Sequence, residues 1–226
     1  MRQPPTVIVF DVNETLSDTS LLKTRFDDVG APEYLADLWF AGVLRDGFAL
    51  AAAGSKATFS AIADGVLRNV LNTVPLNRRM DDAVEHVLQS FGALPVHPDV
   101  ADGITGLKNA GARLITLTNG AVEISERLLA SAGVRDCFES LLSVEDAGAW
   151  KPALAPYQYA AESTSESPGN MLLVAVHPWD IDGASRAGFQ TAWINRTGAV
   201  YPAHFNAPDF TVTAITELSA TVGLIP

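Results

Sequence analysis

The sequence predicts an α/β fold, a doubly wound parallel-sheet (Rossmann-like) core with a helical cap subdomain inserted after the first strand. Three observations lead to this prediction. Segment 6–10 is continuously apolar and rich in β-branched residues, as is typical of a strand buried on both faces of a parallel sheet. Residues 17–94 carry apolar positions at helical spacing, and residues 95–226 alternate between strand-like and helix-like segments.

These patterns divide the chain into a core of residues 1–16 and 95–226 and a cap of residues 17–94. In the cap, apolar residues recur every three or four positions, which predicts helices at 33–50, 56–73 and 80–91. Core strands are predicted at 6–10, 113–118, 140–144, 171–176, 191–194 and 210–213. Core helices are predicted at 99–110, 121–132, 154–164 and 180–187, with a short closing helix. Strands alternating with helices at this spacing indicate right-handed βαβ units.

Composition argues against several classes of protein. The 226 residues include 15 Lys and Arg against 26 Asp and Glu, a net charge of −11 without a basic cluster, which disfavours nucleic-acid binding. The single cysteine, Cys137, can form neither an intrachain disulfide nor a thiolate metal site. Residues 1–5 lack the features of a signal peptide, and the apolar runs are too short to span a bilayer. We therefore expect a soluble cytoplasmic protein.

Polar residues follow the predicted core strands or precede a core helix. Because the carboxyl ends of parallel strands meet at one edge, where open α/β sheets bind ligands, we expect these side chains to share a crevice. Each residue alone has a simpler explanation, since an Asp at a strand end is more often a helix cap or turn former and a lone Lys is usually solvated. The set is Asp11, Thr15, Thr118, Asn119, Lys151, His177, Trp179 and Asp180.

Four motifs occur in a fixed order along the chain. They are FDVNETL at 10–16, LTNG at 117–120, Lys151-Pro152 with Tyr157 downstream, and Trp179-Asp180 with a Gly-Ala pair at 183–184. In these motifs, and in the segment 192–198, the chain resembles the haloacid dehalogenase superfamily and, within it, the type II L-2-haloacid dehalogenases. The resemblance covers essentially the whole chain.

The resemblance implies nucleophilic catalysis by a carboxylate. Asp11 would attack a substrate carbon, expel the leaving group and form an ester that water then hydrolyses. Lys151 would keep Asp11 ionised and in position, Asp180 would pair with Lys151, and Thr15 would hydrogen-bond the nucleophile.

The resemblance also implies a substrate and halide pocket. Thr118 and Asn119 would hold the substrate carboxylate or the halide, Trp179 would form an apolar wall, and Tyr157 would place a hydroxyl on the Lys151 side. The remaining residues of the predicted pocket are Val12, Asn13, Phe40 and His177.

Most members of this superfamily are Mg²⁺-dependent phosphatases, which are the main alternative. Phosphatases carry a second Asp two residues after the nucleophile as a general acid, and here Asn13 cannot titrate. A further Asp beside a glycine in their fourth motif is replaced by Ala175 and Val176, and Asp182 fits a helix-dipole partner better than a shifted ligand. A halide leaves as a stable anion and requires neither acid nor metal. We therefore predict a 2-haloacid dehalogenase without a metal or cofactor, acting on short 2-haloalkanoic acids.

Three departures from the subfamily pattern bear on activity. The cap arginine that usually follows a tryptophan is Phe40 here, and Arg45, five residues on, is better explained as a solvated residue. Ala175 and His177 replace the usual Ser and Asn of the fourth motif, and His177 could donate to substrate, act on the hydrolytic water or pack at the rim. Thr118 replaces a serine and keeps its hydroxyl.

These departures leave open a second alternative, a low-activity or non-catalytic member that binds a small carboxylate. The expected partner is a small-molecule substrate, with neither nucleic acid nor membrane. A homodimer through apolar cap helices stays open, although burial within the cap explains the same residues.

Overall fold

A parallel six-stranded sheet forms the centre of the computed structural model, which describes residues 3–224. The strands lie in the spatial order β3-β2-β1-β4-β5-β6, and each neighbouring pair is parallel. They are β1 (Val7–Phe10), β2 (Arg113–Thr118), β3 (Phe138–Ser143), β4 (Met171–Ala175), β5 (Gln190–Ile194) and β6 (Phe210–Val212). The predicted doubly wound α/β fold is confirmed.

The helices fall into two groups, one directly after β1 and one that begins just before β2 and ends after β6. The first group is α1 (Leu21–Asp27), α2 (Leu35–Ala52), α3 (Phe59–Leu71) and α4 (Met80–Phe91). The second group is α5 (Val100–Asn109), α6 (Val122–Ser131), α7 (Val144–Ala147), α8 (Leu154–Thr164), α9 (Pro178–Arg186) and α10 (Leu218–Thr221). Among the described residues, no helix is both long enough and apolar enough to cross a membrane.

The order of the strands places the end of β1 at a topological switch point. The chain leaves β1 to build β2 and β3 on one side, and then crosses to β4, β5 and β6 on the other. Phe10, the last residue of β1, pairs with Thr116 of β2 and Val174 of β4. The residues that follow these three strands therefore meet at one edge, where doubly wound sheets bind their ligands.

Helices cover both faces of the sheet, and β1 alternates between them. Ile8 and Phe10 pack into the cluster formed with α5 and α6, whereas Val7 and Val9 pack into the cluster formed with α8 and α9. Since all four residues of β1 are fully buried, this strand is apolar throughout. Burial on both faces fixes the strand that carries the first motif.

Helices α1–α4 form a separate hydrophobic cluster around Trp39, whose Nε1 donates to the Ala63 carbonyl at 3.0 Å. Trp150, which precedes α8, joins this cluster, because its ring stacks on Phe59 with centroids 6.0 Å apart and its Nε1 donates to the Ala57 carbonyl at 3.2 Å. A β-bridge between residues 17 and 96 joins the segment that leads into α1 to the segment that follows α4. The division into a cap of residues 17–94 and a core stays a prediction.

Candidate active site

The candidate site lies at the carboxyl edge of the sheet and centres on Lys151. Its Nζ is 2.9 Å from Oδ1 of Asp11, the residue that follows β1, and 2.6 Å from Oδ2 of Asp180 in the first turn of α9. Each of the three side chains is at most 4% exposed. Burying charges is tolerated only where they are paired and hydrogen-bonded. The structure therefore brings together the predicted nucleophile, ammonium and second carboxylate.

The surroundings of Asp11 favour its charged form. Burial would raise the pKa of this carboxyl, but Lys151, His177 and the Thr15 hydroxyl together hold the pKa below its usual range. Burial would likewise lower the pKa of Lys151, and the two carboxylates outweigh it and raise the pKa. Asp11 and Lys151 are thus held as an ion pair at neutral pH.

Asp180 has a different balance of forces, although it shares the same lysine. Burial raises the pKa of Asp180, the charge of Asp11 adds to this, and the Lys151 ammonium only partly offsets both. The Tyr157 hydroxyl donates to Asp180 Oδ1 at 2.6 Å, so both oxygens of this carboxyl accept short hydrogen bonds. Burial and the Asp180 charge hold the pKa of Tyr157 well above its usual range. Tyr157 is therefore a fixed donor to Asp180.

Thr15, in the first motif, connects the nucleophile to the backbone that follows β4. Its Oγ1 donates to Asp11 Oδ2 at 2.7 Å and accepts from the backbone N–H of Val176 at 3.1 Å. Because the backbone donor occupies one side of the hydroxyl, the proton of Thr15 is directed at the carboxylate. Thr15 thus fixes the orientation of Asp11.

The two polar residues at the carboxyl end of β2, Thr118 and Asn119, hydrogen-bond to backbone groups. Oδ1 of Asn119 accepts from the backbone N–H of Lys151 at 3.0 Å, and its Nδ2 donates to the Lys151 carbonyl at 3.4 Å. Thr118 Oγ1 accepts from the N–H of Gly120 at 2.9 Å. Both side chains are buried beside the site, and Asn119 positions the lysine. Their roles in holding carboxylate or halide stay predictions.

Aromatic rings from α2 and from the start of α9 form one wall of the site, called here the aromatic wall (Phe40, Phe48, His177 and Trp179). The His177 ring stacks between Phe40 of α2, with centroids 6.4 Å apart, and Trp179 of α9, at 4.9 Å. Phe48 meets Trp179 edge-on at 5.0 Å, and Lys151 Nζ lies 5.9 Å from the centroid of the Trp179 ring. Phe40 and Trp179 therefore lie on the two sides of His177, and their role in a substrate pocket stays a prediction.

Two predicted pocket residues lie on the loop after β1. Val12 and Asn13 are buried, and both line a small cleft together with Phe91, at the end of α4, and Leu94. The carbonyl of Asn13 accepts from Nε2 of His177 at 3.2 Å. This contact fixes a proton on Nε2, because a carbonyl can only accept.

A carboxylate that the sequence analysis did not single out completes the site. Glu14 Oε2 lies 3.5 Å from His177 Nε2, and Asp11 Oδ2 lies 3.7 Å from the same nitrogen. Glu14 has φ of 62°, in the left-handed region that non-glycine residues rarely adopt. The sequence carried no signal for this, because a Glu between Asn and Thr in a loop looks like an ordinary surface residue.

Arg45 lies away from the site. Its side chain is 73% exposed and its Nε pairs with Asp46 at 2.8 Å. Asp182, the alternative metal ligand, accepts from Arg186 Nε and from the backbone N–H of Asn206, as expected of a residue that holds structure. Within residues 3–224, no group of three or more His, Cys, Asp or Glu side chains is arranged to hold a metal ion.

The chain is similar to known proteins over most of its length. A family model described as haloacid dehalogenase-like hydrolase matches residues 5–188. An (S)-2-haloacid dehalogenase from Pseudomonas sp. (strain YL) is 30% identical over 220 residues, covering 95% of this chain and 94% of that protein. Haloacetate dehalogenase H-2 from Moraxella sp. (strain B) is 29% identical over 207 residues, covering 91% and 92%. The structure of L-2-haloacid dehalogenase from Xanthobacter autotrophicus with chloropropionic acid covalently bound has 25% identity and a TM-score of 0.82, covering 96% of this chain and 97% of that one.

Proposed function

This chain belongs to the haloacid dehalogenase-like hydrolases, and we propose that it is a 2-haloacid dehalogenase that acts through an ester on Asp11. The observation that carries the proposal is the buried Asp11 carboxylate held as an anion by Lys151 at 2.9 Å. A carboxylate is a weak nucleophile in water, and removing it from water while keeping its charge increases its reactivity. The relatives that cover most of the chain carry dehalogenase names.

In the first step, an Asp11 oxygen attacks the carbon that bears the halogen. The new carbon–oxygen bond forms as the carbon–halogen bond breaks, and the halide leaves with the bonding electrons. Lys151 keeps the nucleophile ionised and in place, Asp180 holds Lys151, and the Thr15 hydroxyl orients the nucleophile. Since the halide needs no proton to leave, Asn13 fits at a position where an acid would be required for an oxygen leaving group.

In the second step, water attacks the ester carbonyl of Asp11. The bond between this carbonyl carbon and the ester oxygen breaks, which releases a 2-hydroxy acid and regenerates the carboxylate. We propose short substrates such as monochloroacetate and L-2-chloropropionate, because the aromatic wall closes one side of the site and leaves an apolar surface for a small alkyl group.

We also propose that the reaction uses no metal or cofactor. The two carboxylates that would anchor Mg²⁺ are bridged by the Lys151 ammonium, and each of their oxygens already accepts a hydrogen bond from Lys151, Thr15 or Tyr157. A divalent cation prefers several free carboxylate or carbonyl oxygens, which this arrangement does not offer. The donor set therefore fits a lysine-bridged nucleophile better than a magnesium site.

The test is halide release from a small panel of 2-haloacids in the presence of a chelator. We expect chloride release from monochloroacetate or L-2-chloropropionate that is unaffected by chelation and abolished in Asp11→Asn. No halide release, combined with Mg²⁺-dependent phosphate release from p-nitrophenyl phosphate, would replace the proposal with a phosphatase. Absence of both activities would favour a binding protein for a small carboxylate.

A further inference from the structure

Glu14 occupies a backbone conformation that its residue type disfavours. Its φ of 62° places the Cβ atom close to the following carbonyl, which only glycine avoids. The backbone there is held by groups that do not need a glutamate side chain, because Glu14 N–H donates to Ser17 Oγ at 3.1 Å and its carbonyl accepts from His97 Nε2 at 2.9 Å. Strain of this kind is found mainly at functional sites, and here it keeps a carboxylate three residues from the nucleophile.

The Glu14 carboxylate has only long contacts. Oε2 lies 3.5 Å from His177 Nε2, and Thr19 Oγ1 donates to Oε1 at 3.5 Å. Burial raises the pKa of Glu14, and the charges of Asp11 and Asp37 add to this against the opposing His177. A carboxylate with a raised pKa and weak partners can take up a proton.

Water has access to Glu14 from the outer side of the site. The side chain is 36% exposed and lines a cavity of about 440 Å³ together with His177 and Trp193. Asp11 is almost fully buried on the inner side of the same imidazole nitrogen, 3.7 Å away. His177 thus stands between the solvated carboxylate and the nucleophile.

The other titratable groups of the site are committed elsewhere. Asp180 is fully buried, and both of its oxygens accept hydrogen bonds of 2.6 Å from Lys151 and Tyr157. Lys151 is a cation with donors only. His177 Nε2 already carries a proton, which it donates to the Asn13 carbonyl. Of the charged side chains around the nucleophile, Glu14 is the one placed to receive a proton.

We propose that Glu14 is the general base for hydrolysis of the Asp11 ester, and that His177 positions it and the water. This inference rests on the proposed function. Water gives a proton to the Glu14 carboxylate as its oxygen bonds to the Asp11 carbonyl carbon. The tetrahedral intermediate then expels the 2-hydroxy acid alkoxide, which takes a proton from Glu14. Asp11 leaves this step as a carboxylic acid and loses its proton to solvent, so that one proton is released per ester hydrolysed.

The test compares Glu14→Gln, Glu14→Gly and the control Glu33→Gln, which removes an exposed cap carboxylate. Rapid-quench experiments with L-2-chloropropionate measure chloride, while mass spectrometry measures the adduct on the peptide that contains Asp11. We expect both Glu14 variants to release about one chloride per site at a rate near that of the wild type. They should then turn over about 100-fold more slowly, as loss of a general base predicts, and accumulate the adduct. The control should behave as the wild type does.

Two outcomes would overturn the assignment. One is turnover of either Glu14 variant within about threefold of the wild type, and a normal Glu14→Gln beside a slow Glu14→Gly would trace the effect to the backbone. The other is loss of the chloride burst together with turnover, which would place Glu14 in the first step. Failure of the wild-type protein to release chloride would overturn the proposed function itself, so the two failures are distinguishable.

Discussion

Replacing Lys151 by methionine should lower the free energy of unfolding by about 3–5 kcal/mol at pH 7. Methionine is close in length, so the change removes the charge with little loss of volume. Asp11 and Asp180 then remain buried, at most 4% exposed, without the ammonium that lies 2.9 and 2.6 Å from their oxygens. An unpaired buried carboxylate becomes neutral by binding a proton. Protonating a carboxyl of ordinary pKa 3.8 at pH 7 costs about 4 kcal/mol.

The size of the loss should depend on pH in a defined direction. In the variant, the folded-state pKa of the buried carboxyls lies above the unfolded value, so the folded state binds more protons and gains stability as the pH falls. The gain approaches about 1.4 kcal/mol per pH unit for one carboxyl between pH 7 and 5.

The wild type should respond differently over the same range. The pKa of Asp11 is lower in the folded protein than in the unfolded chain, so its ionisation stabilises the fold. This stabilisation is present above the unfolded-state pKa and is lost only as the pH falls through the folded-state pKa. The pKa of Lys151 is higher in the folded protein than in the unfolded chain, so its protonation also stabilises the fold. This stabilisation is present below the unfolded-state pKa and is lost as the pH rises through the folded-state pKa. Between about pH 5 and 9 these two contributions are flat, and the raised pKa of Asp180 adds only a smaller gain on acidification.

Urea unfolding followed by circular dichroism at pH 5, 6, 7 and 8 measures these differences. Lys23→Met is the matched control, because Lys23 pairs with Asp37 at 3.3 Å on the surface, with side chains 48% and 71% exposed. That pair should contribute less than about 1 kcal/mol. If Lys151→Met loses no more than Lys23→Met at pH 7, or does not recover stability on acidification, the ion-pair interpretation is refuted.

Two further predictions concern glycine and backbone strain. A Cβ on Gly47 of α2 would lie 2.3 Å from the Trp150 ring, so Gly47→Ala should lower the free energy of unfolding by about 1–3 kcal/mol in thermal unfolding. Gly65 of α3 faces open space, so Gly65→Ala should raise the free energy of unfolding by up to about 1 kcal/mol. Equal stabilities of the two variants would contradict this packing. Glu14→Gly should raise the melting temperature, with a gain of about 1 kcal/mol as the left-handed strain is relieved, and a fall would show that the side chain stabilises its loop.

The sequence predicted the centre of the sheet well because β1, β2, β4 and β5 are buried almost throughout on both faces. Helix α1 (Leu21–Asp27) and helix α7 (Val144–Ala147) were not predicted, since segments of seven and four residues are shorter than the window of about 11 residues over which helical periodicity is read. Strand β3 begins at Phe138 rather than at 140, because a 3-10 turn at 135–137 precedes it and obscures the boundary.

The position of the site could be predicted from the sequence because it depends on which strands are neighbours in the sheet. Parallel β1 and β4 bring Asp11 and Asp180 together, and the third motif supplies Lys151 between them. Side-chain direction was not predictable, and Asn119, expected to face substrate, hydrogen-bonds the backbone of Lys151. The contribution of Glu14 was also hidden, because it depends on a backbone angle that no residue pattern specifies.

Trp150 and Lys151 are consecutive in the chain, but Trp150 lies in a hydrophobic cluster and Lys151 lies in a charged site. The indole packs in the cluster of α1–α4 and donates to Ala57, whereas the ammonium is fully buried between two carboxylates. A peptide bond allows little slack, so helices α1–α4 cannot unfold locally without displacing the charge that holds the nucleophile. These helices and the loop that carries Lys151 should therefore open as a single cooperative unit in hydrogen exchange, and substitutions inside the α1–α4 cluster should lower activity through this one residue step.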